Sequence, residues 1–136
     1  MRDQLASRTP AELRPQQDAF AIQCRNLKKI RDAGVKIAFA TDAGVDVAWT
    51  VHTELADMVR CGVPPAEALV AATRTAAEVV KLDQRLGTVA VGKSADFIVL
   101  DANPLEAIAN TRKIDKVYLR GQEVDRAALR AAFTAP

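Results

Sequence analysis

Aromatic side chains and an excess of charge of either sign are both scarce in this chain. Phe, Trp and Tyr make up 4% of the 136 residues, too few for the stacked platform on which single-stranded nucleic acids bind. The formal net charge is +2, from 19 basic and 17 acidic residues. Strongly basic patches are typical of nucleic-acid-binding domains, so we expect no nucleic acid among the partners of this chain.

Long apolar runs are missing as well. No stretch approaches the roughly 18 apolar residues that a membrane span needs. The N-terminus is polar and does not contain the apolar core of a signal peptide. We therefore expect no membrane partner and a cytoplasmic location. The length of 136 residues excludes a complete (β/α)₈ barrel, because that fold needs about 200–250 residues.

Cysteine and histidine are few. Cys24 and Cys61 form no Cys-x-x-Cys or Cys/His pattern, which predicts two buried, reduced thiols, with a disulfide or a metal site as the minor alternatives. His52 is the only histidine, and a lone histidine is more often structural than a metal ligand. A zinc site usually needs three or more protein ligands.

The first two thirds of the chain alternate between helical and extended patterns. Thr9 and Glu12 form a capping box ahead of a helix that should break at Pro15, restart and end before Gly34. Residues 35–40 predict a buried strand and residues 52–60 a helix. A further helix should run from Pro65 to about residue 80, with a break near Thr73 and a new capping box at Thr75.

Beyond Lys81 the pattern becomes extended. Residues 97–100 predict a strand that is apolar on both faces. Residues 116–120 and 123–124 flank a Gly-Gln turn and predict a hairpin, and residues 125–133 a weak terminal helix.

Asp42 is the strongest catalytic candidate. It follows the predicted strand directly, beside Thr41 and Gly44, at the strand end where α/β folds bind their ligands. A carboxylate there can ligate a metal or accept a proton from water, although an aspartate that only caps a loop or helix would give the same pattern. Glu54 and Asp57, three residues apart on one helix, are interpreted as part of the solvent-facing side of that helix.

Residues 87–94 match the phosphate-loop pattern G-x-x-x-x-G-K-[ST]. A functional phosphate loop follows a buried strand and opens a helix, whereas Ser94 leads straight into the strand predicted at 97–100. We therefore reject nucleotide binding.

Three blocks carry a family resemblance. Residues 40–44 (Ala-Thr-Asp-Ala-Gly), residues 52–55 (His-Thr-Glu-Leu) and residues 86–101, with their Gly-Lys-Ser-Ala-Asp turn, occur in this order with consistent spacing. From about Val35 to Asp125 the sequence resembles the C-terminal part of the amidohydrolase superfamily, in its imidazolonepropionase-like and Xaa-Pro dipeptidase-like branch.

The resemblance implies an α/β fold: the C-terminal fragment of a metal-dependent (β/α)₈ barrel followed by a small β-sandwich segment. Residues 15–33 would be the seventh barrel helix, 35–40 the eighth strand, 46–80 the final helices and 86–125 the sandwich segment. The expected division is a flexible segment (1–14), a partial barrel region (15–81), a C-terminal β segment (82–125) and a tail or short helix (126–136).

The resemblance also implies hydrolysis of amide or cyclic amide bonds with zinc or another divalent metal. Asp42 occupies the position of the family's metal-binding and proton-transferring aspartate. Thr41, Gly44 and His52 would either face the substrate or lie in the layer of residues behind the site. The family's other ligands, mostly histidines, have no counterpart in a chain with one histidine. We therefore expect the isolated chain to bind no metal and to lack activity.

Two functions remain open at this point. The chain is either the C-terminal part of an amidohydrolase or a non-catalytic interaction module. In the second case it would form a homo-oligomer or complement a barrel fragment, because a lone barrel strand leaves two edges open for pairing.

Overall fold

The computed structural model describes residues 9–42 and 50–134 of the chain. Over these residues it is a mixed α/β structure with one small antiparallel sheet. In chain order the elements are α1 (Pro10–Asp32), α2 (Thr50–Arg60), α3 (Pro65–Val70), a π-helical turn (Ala71–Thr75), α4 (Ala76–Val79), β1 (Phe97–Leu100), a 3₁₀ helix (Ile108–Arg112), β2 (Ile114–Leu119), β3 (Gln122–Glu123) and α5 (Arg126–Thr134).

Helix α1 begins where the capping box predicts. The Glu12 N–H donates to Thr9 Oγ1 (3.4 Å), and the Thr9 N–H donates to Glu12 Oε2 (2.7 Å). The predicted break at Pro15 is wrong, and the helix runs through the boundary that we placed between residues 14 and 15. Proline has no backbone N–H, so the helix loses one hydrogen bond. Here that loss falls in the exposed second turn, close to a capped end.

The two cysteines are joined to each other, so the prediction of reduced thiols is wrong. Cys24 in α1 and Cys61, just after α2, form a disulfide with their Cα atoms 4.6 Å apart, which is within the usual range for such bonds. The two cysteines are 37 positions apart in sequence, a distance that gives no signal of pairing. Only the packing of α1 beside α2 brings the two sulfur atoms together.

The predicted strand at residues 35–40 is also not a strand. These residues are extended, but a strand needs a neighbouring strand to form a ladder. Here the neighbour is helical, and the Phe39 N–H donates to the Ala71 carbonyl (3.1 Å) in the π-helical turn. Ile37 and Phe39 are partly buried and pack against the core.

The core lies around α2, α3 and the 3₁₀ helix. Leu55 and Met58 of α2 are buried against Ile108, and the remaining buried members of this cluster are Val63, Ala68 and Ala71. Helices α3 and α4 are joined through the π-helical turn without a break, so Thr75 is helical and makes no side-chain cap. The predicted break near Thr73 is thus a widened turn, in which Thr73 Oγ1 donates to the Leu69 carbonyl (2.7 Å).

The sheet has the order β1-β2-β3 and confirms the predicted strand and hairpin, but the turn lies one residue earlier than predicted, at Arg120-Gly121, and Gln122 belongs to β3. Phe97 pairs with Tyr118, and their rings stack with centroids 4.6 Å apart. Arg120 and Gly121 both have positive φ (52° and 81°), as a two-residue type I′ hairpin turn requires. Strand β1 is apolar on both faces, and one of its apolar side chains, Ile98, is 48% exposed.

The turn at residues 87–94 leads into the strand β1 and not into a helix, which agrees with the prediction that it is not a phosphate loop. Gly87 brings this turn against the π-helical turn and α4. Its φ is +87°, and a Cβ at this position would lie 2.7 Å from Ala77 Cβ and 3.0 Å from the Thr73 carbonyl oxygen. Gly92 has a similar φ of +86° but nothing within 4 Å of its would-be Cβ.

None of the helices in the described residues is both long enough and apolar enough to span a bilayer.

Gly87→Ala should destabilise the chain more than Gly92→Ala. Both variants place a Cβ at positive φ, a strain of about 1–2 kcal/mol, but only Gly87→Ala also overpacks a contact, for about 1–3 kcal/mol more. We expect a loss of about 2–5 kcal/mol in the free energy of unfolding for Gly87→Ala and about 1–2 kcal/mol for Gly92→Ala, measured by urea denaturation. Equal losses in the two variants would show that the close approach at Gly87 is not tight in solution.

Candidate functional site

Three contacts fix the extended segment that leads to Asp42. At its start, Arg31 of α1 forms a two-pronged ion pair with Glu67 of α3, with nitrogen–oxygen distances of 2.6 and 3.0 Å. In its middle, Lys36 Nζ lies 2.7 Å from Glu78 Oε2. Further along the segment, the Phe39 N–H donates to the carbonyl of Ala71, the first residue of the π-helical turn. The segment is therefore held against the α3–α4 helical stretch along its length.

Thr41 and Asp42 follow this segment directly. Thr41 is half-buried, whereas Asp42 is exposed and has a φ of 43°. Aspartate is one of the few residues other than glycine that tolerate this left-handed conformation. Asp42 thus adopts a left-handed backbone conformation, and its side chain is exposed. Gly44, the third predicted member of this loop, lies outside the described residues.

His52 lies in the first turn of α2 and contacts the 3₁₀ helix. Its Nδ1 is 3.0 Å from Thr111 Oγ1, and that hydroxyl donates to the Ile108 carbonyl (2.8 Å). Because the hydroxyl proton is used toward Ile108, the arrangement assigns the proton between His52 and Thr111 to Nδ1 of the imidazole. The residue therefore joins α2 to the segment that precedes β2.

Burial changes the titration of two residues on α2. Desolvation, together with the nearby positive charge of Arg112, lowers the pKa of His52 below its usual range. Desolvation and the neighbouring Asp57 raise the pKa of Glu54. Glu54 and Asp57, expected on a solvated side, are half-buried and line a groove of about 370 Å³ between α1 and α2.

The described residues do not fit a metal centre on their own. Over residues 9–42 and 50–134 there is no group of three or more His, Cys, Asp or Glu side chains that could hold an ion. The two cysteines are used in the disulfide, and the contact described for the single histidine goes to Thr111. What this part of the chain offers chemically is an accessible carboxylate on a firmly held segment.

The sequence suggests candidate site residues but not the contacts that hold the segment before them. Thr41 and Asp42 follow the extended segment, while His52 packs on the 3₁₀ helix. Sequence reasoning missed the Ala71 carbonyl and the two ion pairs. A π-helical turn has no recognised sequence pattern, and pairs 36 and 42 residues apart leave no spacing signal.

Comparison with known proteins relates the sequence of this chain to one protein family. The model of the amidohydrolase family matches residues 8–124. Imidazolonepropionase from Streptococcus pyogenes serotype M3 is 33% identical over 106 residues, which is 73% of this chain and 25% of that protein. Imidazolonepropionase from Geobacillus sp. strain WCH70 is 38% identical over 79 residues, or 56% of this chain and 19% of that protein. The chain thus spans about a quarter or less of these relatives.

Solved structures agree with the sequence relatives. A putative prolidase from Bifidobacterium longum superposes with a TM-score of 0.75 at 30% identity, over 96% of this chain and 35% of its own. A Xaa-Pro dipeptidase, solved with methionine in its active site, superposes with a TM-score of 0.70 at 36% identity, over 74% of this chain and 25% of its own.

His52 should make the stability of the chain depend on pH below about 6.5. Its pKa is lowered in the folded state, so the unfolded chain binds a proton more readily, and stability present above pH 6.5 is lost as the pH falls. We expect the melting temperature to drop more between pH 7.5 and 5.5 in the wild type than in His52→Asn, which keeps a side-chain donor. Arg112→Gln removes a nearby positive charge and should reduce the wild-type drop. Parallel pH curves for wild type and His52→Asn would contradict this role of His52.

Proposed function

Because the chain belongs to the amidohydrolase family, we propose that it supplies the Asp42-bearing part of a hydrolase that cleaves amide or cyclic amide C–N bonds. The observation that carries this proposal is the family match over residues 8–124, which includes Asp42 at the turn that ends the extended segment. In finer detail we propose that α1, residues 35–40 and α2 are the last helix–strand–helix of a (β/α)₈ barrel. The sheet β1–β3 would then be part of a small β-sandwich.

In this role the Asp42 carboxylate acts as a proton acceptor. A water molecule attacks the carbonyl carbon, its proton passes to Asp42, and the same proton is then delivered to the leaving nitrogen as the C–N bond breaks. The exposure of Asp42 and the contacts that fix residues 36–39 suit a group that must meet a substrate in a defined position.

One carboxylate does not make the metal centre on which the family generally depends. Since the described residues hold no cluster of potential ligands, we propose that the other ligands come from polypeptide outside these 136 residues. The 136-residue chain alone should therefore not hydrolyse substrate.

A chimaera tests the hydrolase proposal. The matching quarter of the Xaa-Pro dipeptidase is replaced by this chain, and hydrolysis of a Xaa-Pro dipeptide is measured. We expect the chimaera to be active and Asp42→Asn to lower kcat at least 100-fold, because the proton acceptor is lost. Asp18→Asn, which removes an exposed carboxylate of α1, is the matched control and should stay within twofold. A folded chimaera that is inactive, or an Asp42→Asn chimaera that is as active as its parent, would contradict the proposal.

A second candidate function, an interaction module, is supported by the exposed surface. The chain has an accessible surface of 10330 Å², whereas a compact monomer of 14.7 kDa exposes about 6,900 Å². The excess is larger than the about 1,200–2,000 Å² that a stable protein–protein interface buries. Apolar side chains on this surface include Val35, Ile98 and Val99, the last two on β1, at one edge of the sheet.

We propose that this surface is covered by a second copy or by a complementing barrel fragment. At tens of micromolar, sedimentation should show the chain as a dimer or larger assembly. Ile98→Lys places a charge on the edge strand and should weaken self-association at least tenfold, whereas Val91→Lys, in an exposed turn, should not. A monomer in all three proteins would contradict self-association.

A further inference from the structure

Helix α1 is held to the rest of the chain by few contacts besides the disulfide. The helix has 23 residues, and no side chain described in it is fully buried. Phe20 lies under the Arg60 guanidinium at 4.5 Å, Leu27 packs at the edge of the core, and Arg31 pairs with Glu67 at the C-terminal end. The Cys24–Cys61 bond is the covalent link, and it lies near the middle of the helix.

The loop that this disulfide closes contains the candidate site. It runs from Cys24 through the end of α1, the extended segment, Asp42 and all of α2 to Cys61. Asp42 stands near the middle of that loop, ten residues after α1 ends and eight before α2 begins. The disulfide therefore limits how far the two helices that flank the Asp42 segment can separate.

The disulfide is also open to reaction. Cys24 and Cys61 are both half-buried, and Cys61 lines the groove of about 370 Å³ between α1 and α2, together with Phe20, Leu27 and Glu54. A small thiol can approach Cys61 along this groove. Disulfides that are partly accessible are the ones that exchange readily.

We propose that Cys24–Cys61 is a thiol–disulfide exchange site whose reaction partner is a dithiol reductant, and that its reduction releases α1. A thiolate of the reductant attacks Cys61 Sγ, and the sulfur–sulfur bond to Cys24 breaks. The second thiol then resolves the mixed disulfide and leaves as a cyclic disulfide. Two electrons pass from the dithiol to the protein, and the two cysteines take up its two protons.

Reduction should loosen α1 while sparing the sheet. A helix of this length without a packed face is marginally stable in water, so its amides should lose protection once the covalent link is cut. The pairing of β1 with β2 lies outside the 37-residue loop, and its amides serve as an internal reference. This inference does not depend on hydrolase activity in the chain.

The test is hydrogen exchange on the full chain, air-oxidised or treated with dithiothreitol, together with a count of free thiols. We expect no free thiol before treatment and two after it. Exchange should become at least tenfold faster in peptides covering residues 10–32, and stay within twofold in peptides covering residues 97–100 and 114–119. A Cys24→Ser/Cys61→Ser variant should exchange like the reduced wild type and show no response to dithiothreitol.

Three results would overturn the proposal. Two free thiols in the air-oxidised protein would show that the bond does not form. Unchanged exchange in residues 10–32 after full reduction would show that α1 does not depend on it. Equal loss of protection in the sheet would show global unfolding instead of local release, and this comparison within the wild type is available even if the double variant fails to fold.

Discussion

The Cys24–Cys61 disulfide is the constraint on which the arrangement of α1 beside α2 depends. Closing a loop of 37 residues removes conformational entropy from the unfolded chain, an effect of about 4 kcal/mol in the chain-entropy model. That is large beside the exposed ion pairs around it, each of which contributes about 0–1 kcal/mol. Helix α1 buries no side chain completely, so hydrophobic packing alone does not fix it in place.

The rest of the fold depends on a small core in which α2 is central. Leu55 and Met58 face Ile108, and the His52–Thr111 hydrogen bond lies at the same junction, so one helix joins the Asp42 segment to the sheet. The many alanines allow the helical stretch of residues 65–79 to pack closely on the extended segment. They also bury little surface each, which agrees with an accessible area well above that of a compact monomer.

Local signals in the sequence predicted local structure well. The Thr9–Glu12 capping box and the hairpin turn at Gly121 are determined by residues within a few positions of one another, and both are present. Two local predictions are wrong, the helix break at Pro15 and the capping box at Thr75, because both residues lie inside continuous helical stretches. The other failures involve partners that are distant in sequence. Residues 35–40 have the composition of a strand, but no strand lies beside them in the described residues, and the cysteine pairing depends on how two helices pack.

The same distinction applies to the candidate site. Asp42 could be proposed from its neighbours in sequence, because it lies in a short motif at the end of the extended segment, and its catalytic role stays a prediction. The contacts that hold this segment come from α3, the π-helical turn and α4, and no motif marks them. The described residues contain no cluster of potential metal ligands. In the hydrolase proposed above, the remaining catalytic residues would therefore have to approach the carboxylate of Asp42 from its solvent-exposed side.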